Sequence, residues 1–153
     1  MNLFTQVITD ANDIYIYFEV IRQLNPVSVL DVGMMLKRLG ALSRQSMNCE
    51  ISRDIRLDGI DFDPDVYLPV YKQIYSDIFS VDIDQFPNVI YDLAVVLAVK
   101  KNIPAVMLDR IARHGKQVLF DADQPVCRDY FVGRYECQAL QIEGRTYGLA
   151  ALI

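Results

Sequence analysis

The 153-residue sequence predicts an open α/β fold, a mostly parallel sheet with helices on both faces, and three observations carry that prediction. A β-branched apolar run, Val27 to Val32, passes through Gly33 into a helical pattern, which reads as a strand, a tight turn and a helix. Further apolar runs alternate with helical spacings down the chain, as parallel strands joined by crossover helices do. The last two runs are separated only by Glu143-Gly144, a hairpin signal, so the sheet should close with an antiparallel pair. Ligands of such sheets bind in the crevice at the carboxyl ends of the strands, which makes the turn after the first strand the expected site.

Taken in order, Asp10 or Asp13 can cap a first helix that runs to about Leu24 and stops at Asn25-Pro26. Ile14, Phe18, Ile21 and Leu24 form one stripe, yet Tyr15, Ile16, Tyr17 and Val20 make the other sides apolar too, so this helix wants two partners, the sheet and a second subunit or a lid. A strand over the same β-branched and aromatic stretch is the alternative. After the first strand, Leu36 to Met47 reads as a helix and Ile55 to Phe62 as the second strand. A helix over Asp65 to Tyr71, with Pro64 at its start, leads to a third strand, Gln73 to Phe79, whose end carries Asp77. Val81 to Phe86 is a loop or helical turn. Tyr91 to Val99 is continuously apolar, as a central parallel strand buried on both faces would be. A helix from Ala105 to Arg113 is ended by Gly115, and Lys116 to Asp121 is the fifth strand. Gln124 to Phe131 is a short helix or loop, and Tyr135 to Ile142 with Arg145 to Ile153 form the hairpin.

Composition narrows the function classes. The length suits a single domain, residues 1–153, and with 52% apolar residues the chain can bury a core. No apolar run approaches the ~20 residues that span a bilayer, and the N-terminus lacks the pattern of a secretory leader, so a cytoplasmic protein without membrane contact is expected. Cys49, Cys127 and Cys137, odd in number and widely spaced, fit a reducing compartment. One histidine, His114, rules out a histidine-rich metal site. A net charge of −5 disfavours extended nucleic-acid binding, although Lys100, Lys101, Arg110, Arg113 and Lys116 fall in one short stretch.

The order of helix, five βα units and terminal hairpin resembles the class I S-adenosylmethionine-dependent methyltransferases over nearly the whole chain, with a Rossmann-like seven-stranded sheet implied. V-S-V-L-D-V-G resembles the first family motif, with Asp31 and Gly33 in the places of its acidic residue and first glycine. Asp61 in G-I-D resembles the acidic residue that closes the second strand and holds the ribose hydroxyls, with Phe62 following it in the cofactor site. Asp77 and Ile78 in S-D-I-F resemble the residues that meet the adenine. Tyr91-Asp92-Leu93 resembles the F-D-L that opens the fourth strand, where the aspartate is structural. The resemblance implies S-adenosylmethionine as cofactor and a small-molecule methyl acceptor.

The sequence departs from that pattern after Gly33, where the family motif is glycine-rich and this chain has Met34, Met35 and Leu36. A side chain where the backbone needs positive φ costs about 1 kcal/mol or more. Met34 and Met35 either line the cofactor or fill a vacant pocket. Asp31 could equally cap the following turn. Asp121 and Asp123, at the end of the fifth strand, are a weak signal for Mg²⁺ and no metal is assigned to them. Asp123 and His114 are the nearest candidates for a base by strand-end location. Two functions follow: a methyltransferase acting on a small molecule, or a non-catalytic binding or assembly protein of the same fold. In either case the first helix is expected to join a homo-oligomer.

Overall fold

The computed structural model describes residues 3–36, 55–61, 69, 71–80, 88–97 and 103–152, with backbone alone for residues 3–11, 61 and 80. The expected helices over Leu36 to Met47 and Asp65 to Tyr71 lie almost wholly outside the described residues. Helix α1 (Leu3–Leu24) is followed by β1 (Ser28–Val32), β2 (Arg56–Asp61), the single turn α2 (Tyr71–Ile74), β3 (Asp77–Ser80) and β4 (Tyr91–Val96). Then come α3 (Ala105–His114), β5 (Gly115–Asp121), α4 (Pro125–Val132), β6 (Glu136–Ile142) and β7 (Arg145–Ala151). The strands form one seven-stranded sheet in the order β3-β2-β1-β4-β5-β7-β6. Strands β1 to β5 pair in parallel, and β7 lies antiparallel between β5 and β6.

Alternation along the strands divides the core into two layers. One packs Val29, Leu57, Leu93, Val95, Leu119, Tyr147 and Leu149 against Ile16, Tyr17, Val20 and Ile21 of α1 and Tyr71 and Ile74 of α2. The other packs Leu30, Val32, Ile60, Val96, Val118 and Phe120 against α3 and α4. At Gly148 an added Cβ would collide with the Phe120 ring, its cross-strand partner, which stacks on Phe131 at 4.9 Å. Glu143 (φ 47°) and Gly144 (φ 81°) make the two-residue turn with both residues left-handed that the hairpin needs.

Several expectations are corrected. The first helix starts at Leu3, so Asp10 and Asp13 are inside it; apolar residues continue its pattern upstream, and Asp13 is buried, accepting from Tyr147 Oη at 2.6 Å. It ends as expected, with Asn25 left-handed (φ 49°), its N–H bonded to Ile21 O, and Pro26 next. The third strand starts at Asp77, because Gln73 and Ile74 belong to the turn α2. Asp77 therefore opens β3 instead of closing it. Gly115 ends the helix as expected, in extended backbone (φ −128°), and is also the first residue of β5, joined to α3 with no intervening loop. His114 consequently stands at the amino edge of the sheet, its Nδ1 3.0 Å from Val89 O.

Asp92, also at the amino edge, clamps the start of β1: it accepts from Val27 N (2.8 Å) and lies 3.2 Å from Lys116 Nζ, which holds its carboxyl below the usual carboxylate range. Its structural role is the one the resemblance implies.

Candidate functional site at the carboxyl edge of the sheet

The crevice of a doubly wound sheet opens where neighbouring strands send their connections to opposite faces, here between β1 and β4. At the carboxyl end of β1 the chain turns sharply. Gly33 (φ 87°) and Met34 (φ 54°) are both left-handed, Gly33 N donates to Ile60 O at 2.8 Å, and Met34 N lies 3.3 Å from Asp31 O. The turn is thereby tied to the last residues of β2, of which Asp61 is the final one.

Asp31 is completely buried and holds this turn from below. Its carboxylate accepts from Met35 N (3.0 Å), Leu36 N (3.2 Å) and Tyr75 Oη (2.6 Å). Burial first, then the neighbouring Asp31 charge, push the Tyr75 hydroxyl well above its usual range, so it remains a proton donor at any physiological pH. The capping role open to Asp31 in the sequence is the one its geometry displays.

Met34 occupies a position whose backbone suits glycine, and its side chain goes down onto the sheet instead of across the turn. An added Cβ at Gly59 would stand 2.7 Å from Met34 Cγ and 3.1 Å from Tyr75 Cδ1. Gly59 is two residues short of the end of β2 and pairs with Asp31 in register. The missing glycine of the turn is thus matched by a glycine in the adjacent strand, which gives the methionine its room. Met34 is wholly buried and Met35 is 4% exposed, both in the α1 layer.

The remaining expected residues do not all converge. Asp61 stands at the carboxyl end of β2 beside the turn. Phe62 lies outside the described residues. Asp77 is three residues, about 10 Å along the strand, from the level of Asp61, because it pairs with Asp58 while Ser80 pairs with Asp61. Its exposed carboxylate is 3.8 Å from Arg56 Nη2 and its N–H donates to Asp58 Oδ1. Asp77 is thus level with Leu30, one residue below Asp31 and two strands away from it. Ile78 pairs with Gly59 and packs half-buried on the α1 layer.

Three structural residues went unnoticed in the sequence. Asp58, fully buried, binds Arg56 Nε (2.8 Å) and Tyr91 Oη (2.6 Å), and no periodicity marks it, since it reads as a polar interruption of a strand. Tyr75 is equally silent. Gly59 did carry a signal, because a glycine inside a strand marks a close approach.

At the end of β5, Asp121 is buried, accepts from Asp123 N (2.9 Å) and Arg145 Nη2 (2.5 Å), and lies beside Asp13, 4.0 Å from the same guanidinium. Asp123 is exposed and accepts from Thr146 N. Among the described residues no group of three His, Cys, Asp or Glu is placed to hold a metal ion. Cys127 is buried, its thiol pushed up to about 11 by burial and then by Asp121; Cys137 is pushed up by burial as well. Neither is poised as a nucleophile.

No protein-family model matches the sequence, and no curated protein does. Solved structures do match. A Klebsiella pneumoniae protein provisionally assigned as an O-methyltransferase superposes with a TM-score of 0.64 at 16% identity, over 92% of this chain and 80% of that one. The O-methyltransferase TomG from Streptomyces achromogenes, involved in tomaymycin synthesis and solved with SAM, gives 0.58 at 17% identity over 88% and 76%. An O-methyltransferase from Bacillus cereus solved with SAH gives 0.56 at 12% identity over 92% and 80%. With that likeness, the strand order and the terminal hairpin, the chain has the fold of the class I S-adenosylmethionine-dependent methyltransferases.

Proposed function

We propose that this chain is a methyltransferase that binds S-adenosylmethionine in the crevice beside β1 and β2 and methylates a small-molecule acceptor. The observation that carries the reading is the turn Gly33-Met34: both residues keep the left-handed backbone of a close ligand approach, although only the first is a glycine. Met34 is accommodated over Gly59, below the turn, and the left-handed backbone of Gly33 is retained, which is compatible with a close cofactor approach. The crystallised neighbours with SAM or SAH support the same choice.

In this reading Asp61 takes the ribose hydroxyls, and Gly33 lets the main chain approach the methionine portion. Asp31 works indirectly, fixing the turn through the amides of Met35 and Leu36. The bound cofactor supplies an electrophilic methyl on a sulfonium, so the protein's share is chiefly to align the acceptor and keep water out. Asp123, exposed at the end of β5, is the candidate carboxylate, by strand-end location, for removing a proton from the acceptor. The chain works as one domain, in the cytoplasm, where its thiols remain reduced.

A second reading, a non-catalytic protein whose cofactor site Met34 and Met35 fill, is favoured by their near-complete burial. Calorimetric titration with S-adenosylmethionine and S-adenosylhomocysteine separates the two. Parent binding that weakens by about 1.5 to 3 kcal/mol in Asp61→Ala, the range for a hydrogen bond to a charged group, supports the enzyme. A parent that binds neither compound, with binding gained when Met34 and Met35 are both replaced by glycine, establishes the filled site.

A further inference from the structure

The two edges of the sheet are protected differently. Strand β3, at one end, has only four residues, too short to template a partner. Strand β6, at the other, has seven residues paired with β7 without a bulge, and it contains no proline, lysine or arginine and a single charge, Glu136, at its start. Those are the features that edge strands ordinarily use to repel a neighbour, and β6 lacks them.

The hairpin register shows what this edge offers. Ile142 and Arg145 flank the two-residue turn and so exchange both backbone hydrogen bonds, and by alternation Leu140, Gln138 and Glu136 also bond to β7. Cys137, Ala139 and Gln141 therefore turn their N–H and C=O groups outward, where no strand follows among the described residues. Beside this edge runs a groove of about 720 Å³ between β6 and α1, with Tyr15, Asn12 and Glu19 on one wall and Leu140 and Ile142 on the other. Tyr15 is 59% exposed, the apolar part of α1 that its own sheet leaves uncovered.

We propose that β6 pairs antiparallel with β6 of a second copy of this chain, about a two-fold axis through Ala139. This register pairs all seven residues and matches every outward group with its complement: Ala139 meets Ala139, and Cys137 meets Gln141 at both ends. The small alanine side chain at the axis lets the strands close. The two Glu136 residues fall at opposite ends, each across from Ile142, and Arg134 of one copy comes to a position neighbouring Glu143 of the other, so opposite charges meet at both rims. Arg134 is exposed, and its contacts with Asp109 (3.6 Å) and the Tyr130 ring lie at the surface, where it can also reach a second copy. An edge about 23 Å long covers less than the roughly 1,200 Å² that a stable dimer buries. The further surface comes from the groove wall, where Tyr15 is exposed next to Leu140 and Ile142. A second copy is the occupant because this pattern complements itself; an unrelated peptide would have no reason to match both rims.

Light scattering over a concentration series, on the full chain, tests this. The parent should dimerise, and Ala139→Pro should raise the dissociation constant about tenfold or more with an unchanged circular dichroism spectrum. The lost N–H points outward and is not used by β7. Ala139→Cys provides a readout independent of proline: the two thiols face each other in a hydrogen-bonded pair, about 5.5 Å between Cα atoms, which a disulfide spans, and mild oxidation should give a 139–139 linked dimer by peptide mass mapping. A parent that is monomeric throughout, a dimer indifferent to a folded Ala139→Pro, or an oxidised Ala139→Cys without the 139–139 link each overturns the proposal.

Discussion

Two buried aspartates stand near the carboxyl ends of parallel strands in the same sheet, Asp31 on β1 and Asp121 on β5, and they are held by different chemistry. Asp31 accepts from two backbone amides and a tyrosine hydroxyl. Asp121 accepts from one amide and a guanidinium that is itself only partly exposed. The first arrangement fixes a turn; the second pins β7 to β5 and, through Asp13 and Tyr147, draws α1 onto the sheet. A carboxylate at this edge is therefore not evidence of a ligand by itself, and what distinguishes the crevice is the strained backbone that Asp31 supports.

The difference can be broken from the Asp121 side. Arg145→Met keeps most of the side-chain volume but leaves two buried carboxylates without their cation, and it should cost about 3 kcal/mol in urea unfolding, the low end for a broken buried pair because Arg145 keeps some solvent contact. Cofactor affinity should change little. If the loss is well under 1 kcal/mol, the Arg145 contact is an ordinary surface pair.

From the Asp31 side, Tyr75→Phe removes one neutral donor and leaves the amide bonds in place, so a loss of about 2 kcal/mol is expected. Because the turn loses a support, affinity for S-adenosylhomocysteine should fall with stability, which Arg145→Met should not cause. Equal effects of the two variants on affinity would erase the contrast.

The smallest effect tests the compensation beneath the turn. Gly59→Ala puts a methyl group against Met34 Cγ and Tyr75, at a cost of about 1 to 2 kcal/mol from overpacking. Adding Met34→Ala should recover most of it, since neighbours in contact are not additive. Losses that simply sum would mean that Met34 and Gly59 do not share one space.

The order of strands, the hairpin and its turn could be read from the chain because they rest on local signals: β-branched runs, Asn25-Pro26, and Glu143-Gly144 between two apolar alternations. The errors arose where local signals competed. Gln73 to Phe79 has the composition of a strand, yet a turn of helix takes its first residues, so Asp77 opens β3, level with Asp58 and Leu30, instead of closing it. Gly115 ends the helix as read and is at the same time the first residue of β5, which the sequence placed one residue later. The networks of Asp31, Asp58 and Asp121 join residues far apart in sequence, 44 positions for Tyr75 and Asp31 and 134 for Tyr147 and Asp13, and no window along the chain contains them.

The direct passage from α3 into β5 has a consequence for how this chain tolerates changes in length. With no loop between His114 and Gly115, there is no slack to absorb an added residue. One insertion at that junction would shift β5 by one position against both β4 and β7, exchanging the sides taken by Leu119 and Phe120 and turning Asp121 away from Arg145. The tip at Glu143-Gly144 lies open to solvent, where extra residues would lengthen a turn and leave the register alone. Length can vary at one end of this sheet only because it is fixed at the other.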